Sequence, residues 1–287
     1  MLSVGEALER FISSLELTEG QRDEVSRQHT LVREELSRRL AGCETSFLSG
    51  SYSRSTAIRP LHDIDIFTVV GRASSTPPET PDAALKRVRQ ALHEAWPNKE
   101  LPILQQHSVH LEFTKSGIEF DVVPAYQHLS QELFLIPEGN TGRWIHTNPR
   151  IHKGLSTDAN ELAGKKFKPL IKAVKHWNRQ HGSSPLRSFH LEVMGYEAFS
   201  QAPVGYLEGL HTLFAFMAGR VDRPVPDPAG LGGKVDARMT LGQRMAARNA
   251  FQGAARTVRL ALSERDSNPE RAHLRLRELF GETYRYR

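Results

Sequence analysis

The sequence predicts an α+β protein in which a lobe built on a mixed β-sheet is followed by a C-terminal helical lobe. Short apolar or alternating segments, typical of strands, fall between residues 45 and 123. Beyond about Asn148 the apolar residues instead repeat at helical spacing. A chain of 287 residues is long enough for one large domain or two modest ones. We therefore expect a sheet lobe with N-terminal helices over residues 1–160 and a helical lobe over residues 161–287.

The sheet lobe is predicted to begin with two helices and to continue with strands. Apolar residues at helical spacing mark the first helix: Val4, Leu8, Phe11, Ile12 and Leu15. Thr18 followed by Gln21 is typical of a capping box, which starts the second helix. The predicted strands are Thr45–Leu48, Asp63–Val70, Ile103–His107, Val109–Phe113 and Ile118–Val123. Between them we expect a loop at Gly71–Pro81, a helix at Asp82–Trp96 and a turn at Lys115–Gly117.

The second half of the chain is predicted to be helical. The expected helices are Asp158–His181, Ser188–Gln201, Tyr206–Arg220, Ala237–Ser263 and Pro269–Phe280. One long interruption, Asp222–Asp236, is dense in Pro and Gly, the residues that end helices.

Composition excludes several classes of protein. The apolar share of 39% and the charged share of 25% are typical of a soluble globular chain. The longest plainly apolar run, Leu213–Ala218, is far shorter than the ~20 residues that span a bilayer. Met1–Arg10 does not resemble a signal peptide, and the single cysteine, Cys43, excludes an internal disulfide. We expect a cytoplasmic protein that has no membrane partner.

The formal net charge of +5 is unevenly distributed. Residues 1–160 carry 17 Lys and Arg against 21 Asp and Glu, whereas residues 161–287 carry 21 against 12. An acidic half joined to a basic half suits a protein that holds cations on one side and phosphates on the other. A solvated, arginine-rich helical surface would explain the same distribution, so charge alone does not decide between the two.

Two aspartates share one face of a predicted strand. Because residues two apart point the same way, Asp63 and Asp65 project together, roughly 6.6 Å apart along the strand. Each carboxylate raises the pKa of the other unless a cation lies between them. A pair of divalent cations about 3.5–4 Å apart fits that separation. Oxygen-only ligands favour magnesium over zinc, so we expect two Mg²⁺ ions, with Mn²⁺ as an alternative.

A third carboxylate is expected from the alternating segment Ile118–Val123. There Glu119 and Asp121 face one side, while the apolar residues between them face the other. If this strand lies beside the first, Asp121 completes a cluster of three carboxylates, and Glu119 is the second choice.

Gly50 and Ser51 follow the first predicted strand and open a turn or helix that is rich in hydroxyl groups. Glycine permits close approach, and free N–H groups at a helix start point at phosphate oxygens. Gly-Ser and Asp-x-Asp are each unspecific alone, but their order is specific: Gly-Ser, 11 residues from Tyr52 to His62, then Asp-x-Asp. We interpret His62 itself as a loop residue.

With these residues the chain resembles the DNA polymerase β-type nucleotidyltransferase superfamily. It is most similar to the branch that includes 2′-5′-oligoadenylate synthetase, metazoan cyclic GMP–AMP synthase and the bacterial CD-NTases. The stretches that carry this are Phe120–Ala125, Leu170–Trp177, Phe189–Glu192 and Asp227–Ala229. The resemblance implies a sheet lobe packed against the helical lobe, with the active site in the cleft between them.

The resemblance also implies roles for individual residues. Asp63, Asp65 and Asp121 would be the catalytic and metal-binding carboxylates. The residues implied to bind nucleotide are Gly50 and Ser51 at the β- and γ-phosphates, Lys172 and Lys175 at the donor triphosphate, and Ser188 and Phe189 at the donor nucleotide.

Three of these implied roles have plainer alternatives. Phe189 also fits a core aromatic of an amphipathic helix, and Lys168, Lys172 and Lys175 also fit a solvated stripe on a helix.

The arginines further along the chain do not form one strict helical stripe, and we interpret most of them as solvated: Arg238, Arg244, Arg248, Arg256, Arg259 and Arg265.

The function we expect is magnesium-dependent joining of nucleoside triphosphates, as donor and acceptor, into a cyclic or linear oligonucleotide second messenger. Pyrophosphate would be released, and the resemblance implies anti-phage signalling and allows a protein or nucleic-acid activator. One alternative is a template-independent RNA nucleotidyltransferase of the CCA-adding or poly(A) type. A further alternative is a non-catalytic protein that binds nucleotide or a partner.

Overall fold

The computed structural model describes residues 1–61, 63–113, 116–181 and 186–287, so that His62 and Lys115 lie outside the described residues. The fold is α+β, as the sequence predicts. Its strands are β1 (Thr45–Leu48), β2 (Asp63–Ala73), β3 (Ile103–Leu104), β4 (Val109–Phe113), β5 (Ile118–His128), β6 (Phe134–Glu138) and β7 (Arg143–Thr147). Its helices are α1 (Val4–Ser14), α2 (Glu19–Arg39), α3 (Gly50–Ser53), α4 (Pro81–Ala95), α5 (Pro149–Leu162), α6 (Phe167–His181), α7 (Ser188–Gly195), α8 (Tyr206–Arg220), α9 (Leu241–Glu264) and α10 (Pro269–Phe280).

The strands form one mixed sheet. Its order is β1-β2-β5-β4-β3, and β6 and β7 extend it from β5. Strands β2 and β5 pair in parallel, whereas the other strand pairs are antiparallel. The parallel register sets Asp65 opposite Asp121 and Asp63 opposite Glu119. The predicted neighbourhood of the two acidic strands is therefore present.

The alternation of β2 and β5 separates a core face from a polar face. Ile64, Ile66, Phe120 and Val122 are buried in an apolar core with residues of α2 and α4. The aspartates occupy the opposite face, which becomes apolar further along the strands, from Phe67 onward. The burial of one face thus fixes which side chains project from the other.

A second core holds the helical part of the chain together. The predicted apolar face of α6 is buried in it throughout: Phe167, Leu170, Ile171, Val174 and Trp177. Helix α1 packs into this same core, where the ring centroids of Phe11 and Phe280 lie 4.4 Å apart. The division at residues 160 and 161 stays a prediction, and α1 packs with the helices that follow it. Within the described ranges, no helix is both long and apolar enough to cross a bilayer.

The predicted helix Asp158–His181 is wrong. Two helices, α5 and α6, occupy this region, because Gly164 and Lys165 adopt positive φ angles of 58° and 64° and end the first helix. The side chain of Asn160 then accepts a hydrogen bond from the backbone N–H of Lys168 at 3.0 Å, near the start of the second. Strands β6 and β7 were also not predicted, and α7 ends at Gly195 rather than at Gln201. Helices α8 and α10 have the predicted bounds.

Candidate active site

Three carboxylates meet where β2 and β5 run side by side. One oxygen each from Asp63, Asp65 and Asp121 lies within 4.8 Å of the other two. Two of these residues come from consecutive same-face positions of β2, and the third comes from the matching position of β5. The structure thus brings the predicted cluster together.

The local environment makes this cluster electrostatically costly. Burial, together with the neighbouring charges of Asp63 and Asp121, raises the pKa of Asp65 to about 7. Burial also raises the pKa of Asp121, and a hydrogen bond with His110 partly opposes that rise. His110 Nδ1 lies 3.1 Å from Asp121 Oδ1, because antiparallel pairing sets β4 residue His110 opposite Asp121. We did not identify His110 from the sequence, because only the strand register reveals its position.

The donor set fits a divalent cation. All three groups offer carboxylate oxygen, the ligand type that Mg²⁺ and Mn²⁺ prefer. Burial and the neighbouring carboxylates raise the pKa of Asp65, and a cation bound between the carboxylates would neutralise their charges. Asp63, Asp65 and Asp121 are therefore the residues of the described chain that would hold the metal.

Gly50 lies directly against this cluster. Its φ angle is +62°, and a Cβ atom at this position would lie 1.6 Å from Asp65 Oδ2. The backbone N–H of the preceding residue, Ser49, donates a hydrogen bond to the carbonyl of Asp65 at 2.8 Å. Glycine is thus required both for the left-handed backbone and for the close approach of the turn to the aspartate.

Gly50→Ala is expected to lower turnover by about 100-fold, because the added methyl group displaces the carboxylate of Asp65 from its place. Steady-state pyrophosphate release measures this effect. Gly20→Ala is the matched control, since a Cβ atom at Gly20 meets nothing within 4 Å and this helical glycine has no positive φ. Equal turnover of the Gly50 variant and the control would contradict the steric argument.

A cavity of about 500 Å³ opens beside the carboxylates and between the two lobes. Residues that line it include Gly50, Ser51, Arg54, Asp63 and Asp65 from the sheet lobe, and Lys175, Arg179, Arg187, Ser188 and Phe189 from the helical lobe. The predicted nucleotide-binding residues thus share this cavity, with the exception of Lys172.

Lys172 lies away from this cavity. Its ammonium group pairs with Glu16, with Nζ and Oε1 2.8 Å apart. The stripe of three lysines is not a solvated surface either, because Lys172 and Lys175 are both buried. The sequence shows that these lysines share a face of α6, but it does not show what that face packs against.

A buried ion cluster joins the lobes at the wall of the cavity. Glu192 is fully buried and accepts hydrogen bonds from Arg54 Nε at 2.7 Å and from Lys175 Nζ at 2.6 Å. Lys175 also donates to the backbone carbonyl of Thr56 at 2.9 Å. Two cations thus meet one carboxylate, which leaves positive charge at the cavity.

Arg54, Arg179 and Arg187 are cavity residues that we did not identify from the sequence. Signals were present for two of them: Arg54 closes the turn that Gly50 opens, and Arg179 lies one helical turn beyond Lys175. The guanidinium of Arg54 also lies 5.1 Å from the ring centroid of Phe189. Cationic side chains from both lobes therefore face the same space.

Phe189 belongs to an aromatic wall held by an aspartate loop. The ring of His152 lies 4.9 Å from that of Phe189, and His152 Nε2 lies 2.9 Å from Asp227 Oδ1. Asp227 also accepts hydrogen bonds from the backbone N–H groups of Leu231 and Gly232. Burial acts to raise the pKa of Asp227, but these hydrogen bonds and His152 lower it to about 2. The Asp227 loop thus fixes His152 beside Phe189.

A sheet lobe and a helical lobe, with three carboxylates on parallel strands beside a glycine-serine turn, define a polymerase β-type nucleotidyltransferase. Residues 2–160 match the family model described as the Second Messenger Oligonucleotide or Dinucleotide Synthetase domain. This match spans more than half of the chain, and the chain belongs to that family.

Individual relatives agree with this assignment. The chain is 28% identical over 241 residues to a cyclic AMP-AMP-AMP synthase of Acinetobacter sp., a match that covers 78% of this chain and 68% of the relative. The solved complex of Escherichia coli MS115-1 CdnC with HORMA-deltaN has a similar fold, with a TM-score of 0.78, 20% identity and 98% coverage of each chain. Vibrio cholerae DncV cyclic AMP-GMP synthase gives a TM-score of 0.81 at 13% identity, over 100% of this chain and 98% of that chain.

These findings confirm the predicted branch of the superfamily. The chain is an enzyme, a nucleotidyltransferase of the CD-NTase type that makes an oligonucleotide second messenger. Membership favours this function over the CCA-adding or poly(A) alternative and over a non-catalytic binding protein.

Proposed function

We propose that this enzyme joins nucleoside triphosphates into a cyclic oligonucleotide and releases pyrophosphate, with both Mg²⁺ ions held by Asp63, Asp65 and Asp121. The observation that carries this proposal is one cavity of about 500 Å³ with carboxylates on one side and cationic side chains on the other. A nucleoside triphosphate in the presence of divalent cations needs both kinds of group. The aromatic wall adds a surface for the base.

The residues that hold the donor nucleotide come from both lobes. Backbone N–H groups of Gly50 and Ser51 would position the β- and γ-phosphates, as helix starts do for anions. Lys175 and Arg179 line the same cavity and would offset the negative charge of the triphosphate. Phe189 would stack on the base, held from behind by His152.

The reaction itself is an in-line displacement. The oxygen of the acceptor hydroxyl forms a bond to the α-phosphorus, the bond from the α-phosphorus to the bridging oxygen breaks, and pyrophosphate leaves. Asp121, held by His110, would orient the acceptor hydroxyl and accept its proton. Divalent cations, when bound, supply charge stabilisation at the attacking and leaving oxygens. Cyclisation repeats the same step on the triphosphate of the linear intermediate.

Adenosine triphosphate is the first substrate to test. The Acinetobacter relative is a cyclic AMP-AMP-AMP synthase, and DncV is a cyclic AMP-GMP synthase, so adenosine units occur in both products. The solved complex of CdnC with HORMA-deltaN supports a protein partner for this enzyme as well. A cytoplasmic site of action and a role in anti-phage signalling complete the proposal.

Incubation with four labelled nucleoside triphosphates and Mg²⁺ or Mn²⁺, followed by phosphatase, tests the proposed product. We expect a small labelled product that resists phosphatase, because a cyclic oligonucleotide has no terminal phosphate. A linear oligonucleotide product, from which phosphatase removes the terminal phosphates, would contradict cyclisation. Incorporation of label only into added RNA would instead support the RNA-polymerase alternative.

A further inference from the structure

A second cavity, of about 520 Å³, lies between α8 and α9. It shares no lining residue with the cavity of the active site. The two helices run antiparallel, since Arg248 near the start of α9 pairs with Asp222 after the end of α8, and Arg265 at the end of α9 pairs with Glu208 at the start of α8. We call this cavity the α8–α9 groove.

Three arginines form one wall of the α8–α9 groove. Arg248, Arg256 and Arg259 are spaced by eight and three residues on α9, which places them on a single helix face. The sequence does not place all six arginines of this region on one strict helical stripe, and the structure brings these three together in the lining of the α8–α9 groove. The remaining ones face elsewhere: Arg238 contacts Gln106, Arg244 pairs with Asp236, and Arg265 pairs with Glu208.

The positive charge of the α8–α9 groove is not balanced within the described residues. Asp222 is the acidic residue in its lining, and Arg248 already pairs with it at 2.8 Å. Arg256 and Arg259 form no ion pair within 4.0 Å in the parts of the chain that the structure describes. Two exposed guanidinium groups thus face a concave space together, where an anion would neutralise them.

The opposite wall leaves room for a ligand. Helix α8 contributes small residues there, among them Gly219, where an added Cβ would meet no atom within 4 Å. The lining offers the ring of His211 but no Phe, Tyr or Trp, so it provides no aromatic platform for a base. Recognition by the arginines through charge and paired N–H donors is typical of phosphate.

We propose that the α8–α9 groove binds the phosphate groups of a small, multiply phosphorylated ligand, such as a nucleoside triphosphate or an oligonucleotide product. Its volume is in the range of small-molecule sites, about 300–1,000 Å³. Binding there does not depend on catalysis, so this proposal and the proposed function can fail independently.

Isothermal titration of the intact protein with inorganic triphosphate, in the presence of Mg²⁺, tests the site. We expect two binding events in the unmodified protein, one in the active-site cavity and one in the α8–α9 groove. Arg256→Gln with Arg259→Gln should weaken the second event by about tenfold or more, since each removes charged hydrogen bonds to phosphate. Gly219→Leu should weaken the same event by filling the groove while retaining every arginine.

The matched control is Arg10→Gln with Arg285→Gln, which removes the same two charges from exposed positions outside both cavities. Circular dichroism melting shows whether each variant is folded. Retention of both binding events by a folded groove variant would overturn the proposal, as would equal weakening by the control pair. Titration with ATP and with the purified phosphatase-resistant product then distinguishes the two sources of phosphate.

Discussion

Asp63→Asn together with Asp65→Asn is expected to lower magnesium-dependent pyrophosphate release by about 1,000-fold or more. The substitutions keep the size of both side chains but leave one carboxylate, Asp121, of the three that lie within 4.8 Å of one another. A single carboxylate cannot hold two divalent cations beside the triphosphate. A coupled pyrophosphate assay, with nucleoside triphosphates in excess, measures the loss.

The melting temperature of the double variant distinguishes a loss of catalysis from unfolding. Without metal, burial and the charges of Asp63 and Asp121 disfavour the charged form of Asp65, so the double variant should melt at the same temperature or higher. Glu119→Gln is the matched control: it removes a carboxylate from the same face of β5, outside the group of three, and should retain turnover. Turnover by the folded double variant would contradict the assigned role of the aspartates.

The carboxylate cluster was predictable because it depends on local periodicity. Alternation along β2 and β5 fixes which residues share a face, and the order of Gly50, Asp63 and Asp65 indicates a nucleotidyltransferase. The register between these strands lies beyond local pattern, since it joins residues more than 50 positions apart. The sequence indicated Asp121 but not the contact of His110 with it, because that contact depends on the register of the antiparallel pair β4 and β5, which residue types alone do not fix.

The cationic side chains near the active-site cavity show what the local sequence pattern cannot predict. Periodicity places Lys172 and Lys175 on one face of α6. In the folded chain Lys172 forms an ion pair with Glu16, which follows α1, and Lys175 forms one with Glu192 of α7. The partner of Arg54 lies 138 residues away along the chain. Only the tertiary fold decides whether a charged stripe faces water, an acid or a substrate.

The break between α5 and α6 has a different cause. Apolar spacing continues across Ala163–Lys166, and a single long helix therefore fitted the pattern. Glycine commonly ends helices because it readily adopts a positive φ angle. Here both Gly164 and Lys165 have a positive φ angle. A glycine within a periodic segment thus carried the signal for the end of the helix.

Glu192→Ala is expected to lower the free energy of unfolding by about 3–5 kcal/mol, the largest effect on stability that we anticipate. The substitution leaves Arg54 and Lys175 buried beside each other without a counter-charge. Because Arg54 belongs to the sheet lobe and Lys175 to the helical lobe, the same change should loosen the active-site cavity and lower turnover. Urea denaturation at neutral pH, followed by circular dichroism, measures the stability.

The dependence of this effect on pH distinguishes ion pairing from packing. Burial acts to raise the pKa of Glu192, but Lys175 and Arg54 outweigh it and lower that pKa to about 2. A carboxyl whose pKa is lowered in the folded state stabilises the fold at pH values above its ordinary pKa of 4.5. This stabilisation decreases as the pH falls from 4.5 towards 2. The difference in stability between the unmodified protein and Glu192→Ala should therefore be largest at pH 7 and decrease in acid.

Glu197→Ala is the matched control: at an exposed position five residues further on, it should change stability by less than about 0.5 kcal/mol. A loss at Glu192 no greater than that of the control, or one that stays constant down to the lowest pH at which the protein folds, would show that the charge of Glu192 does not hold the lobes together.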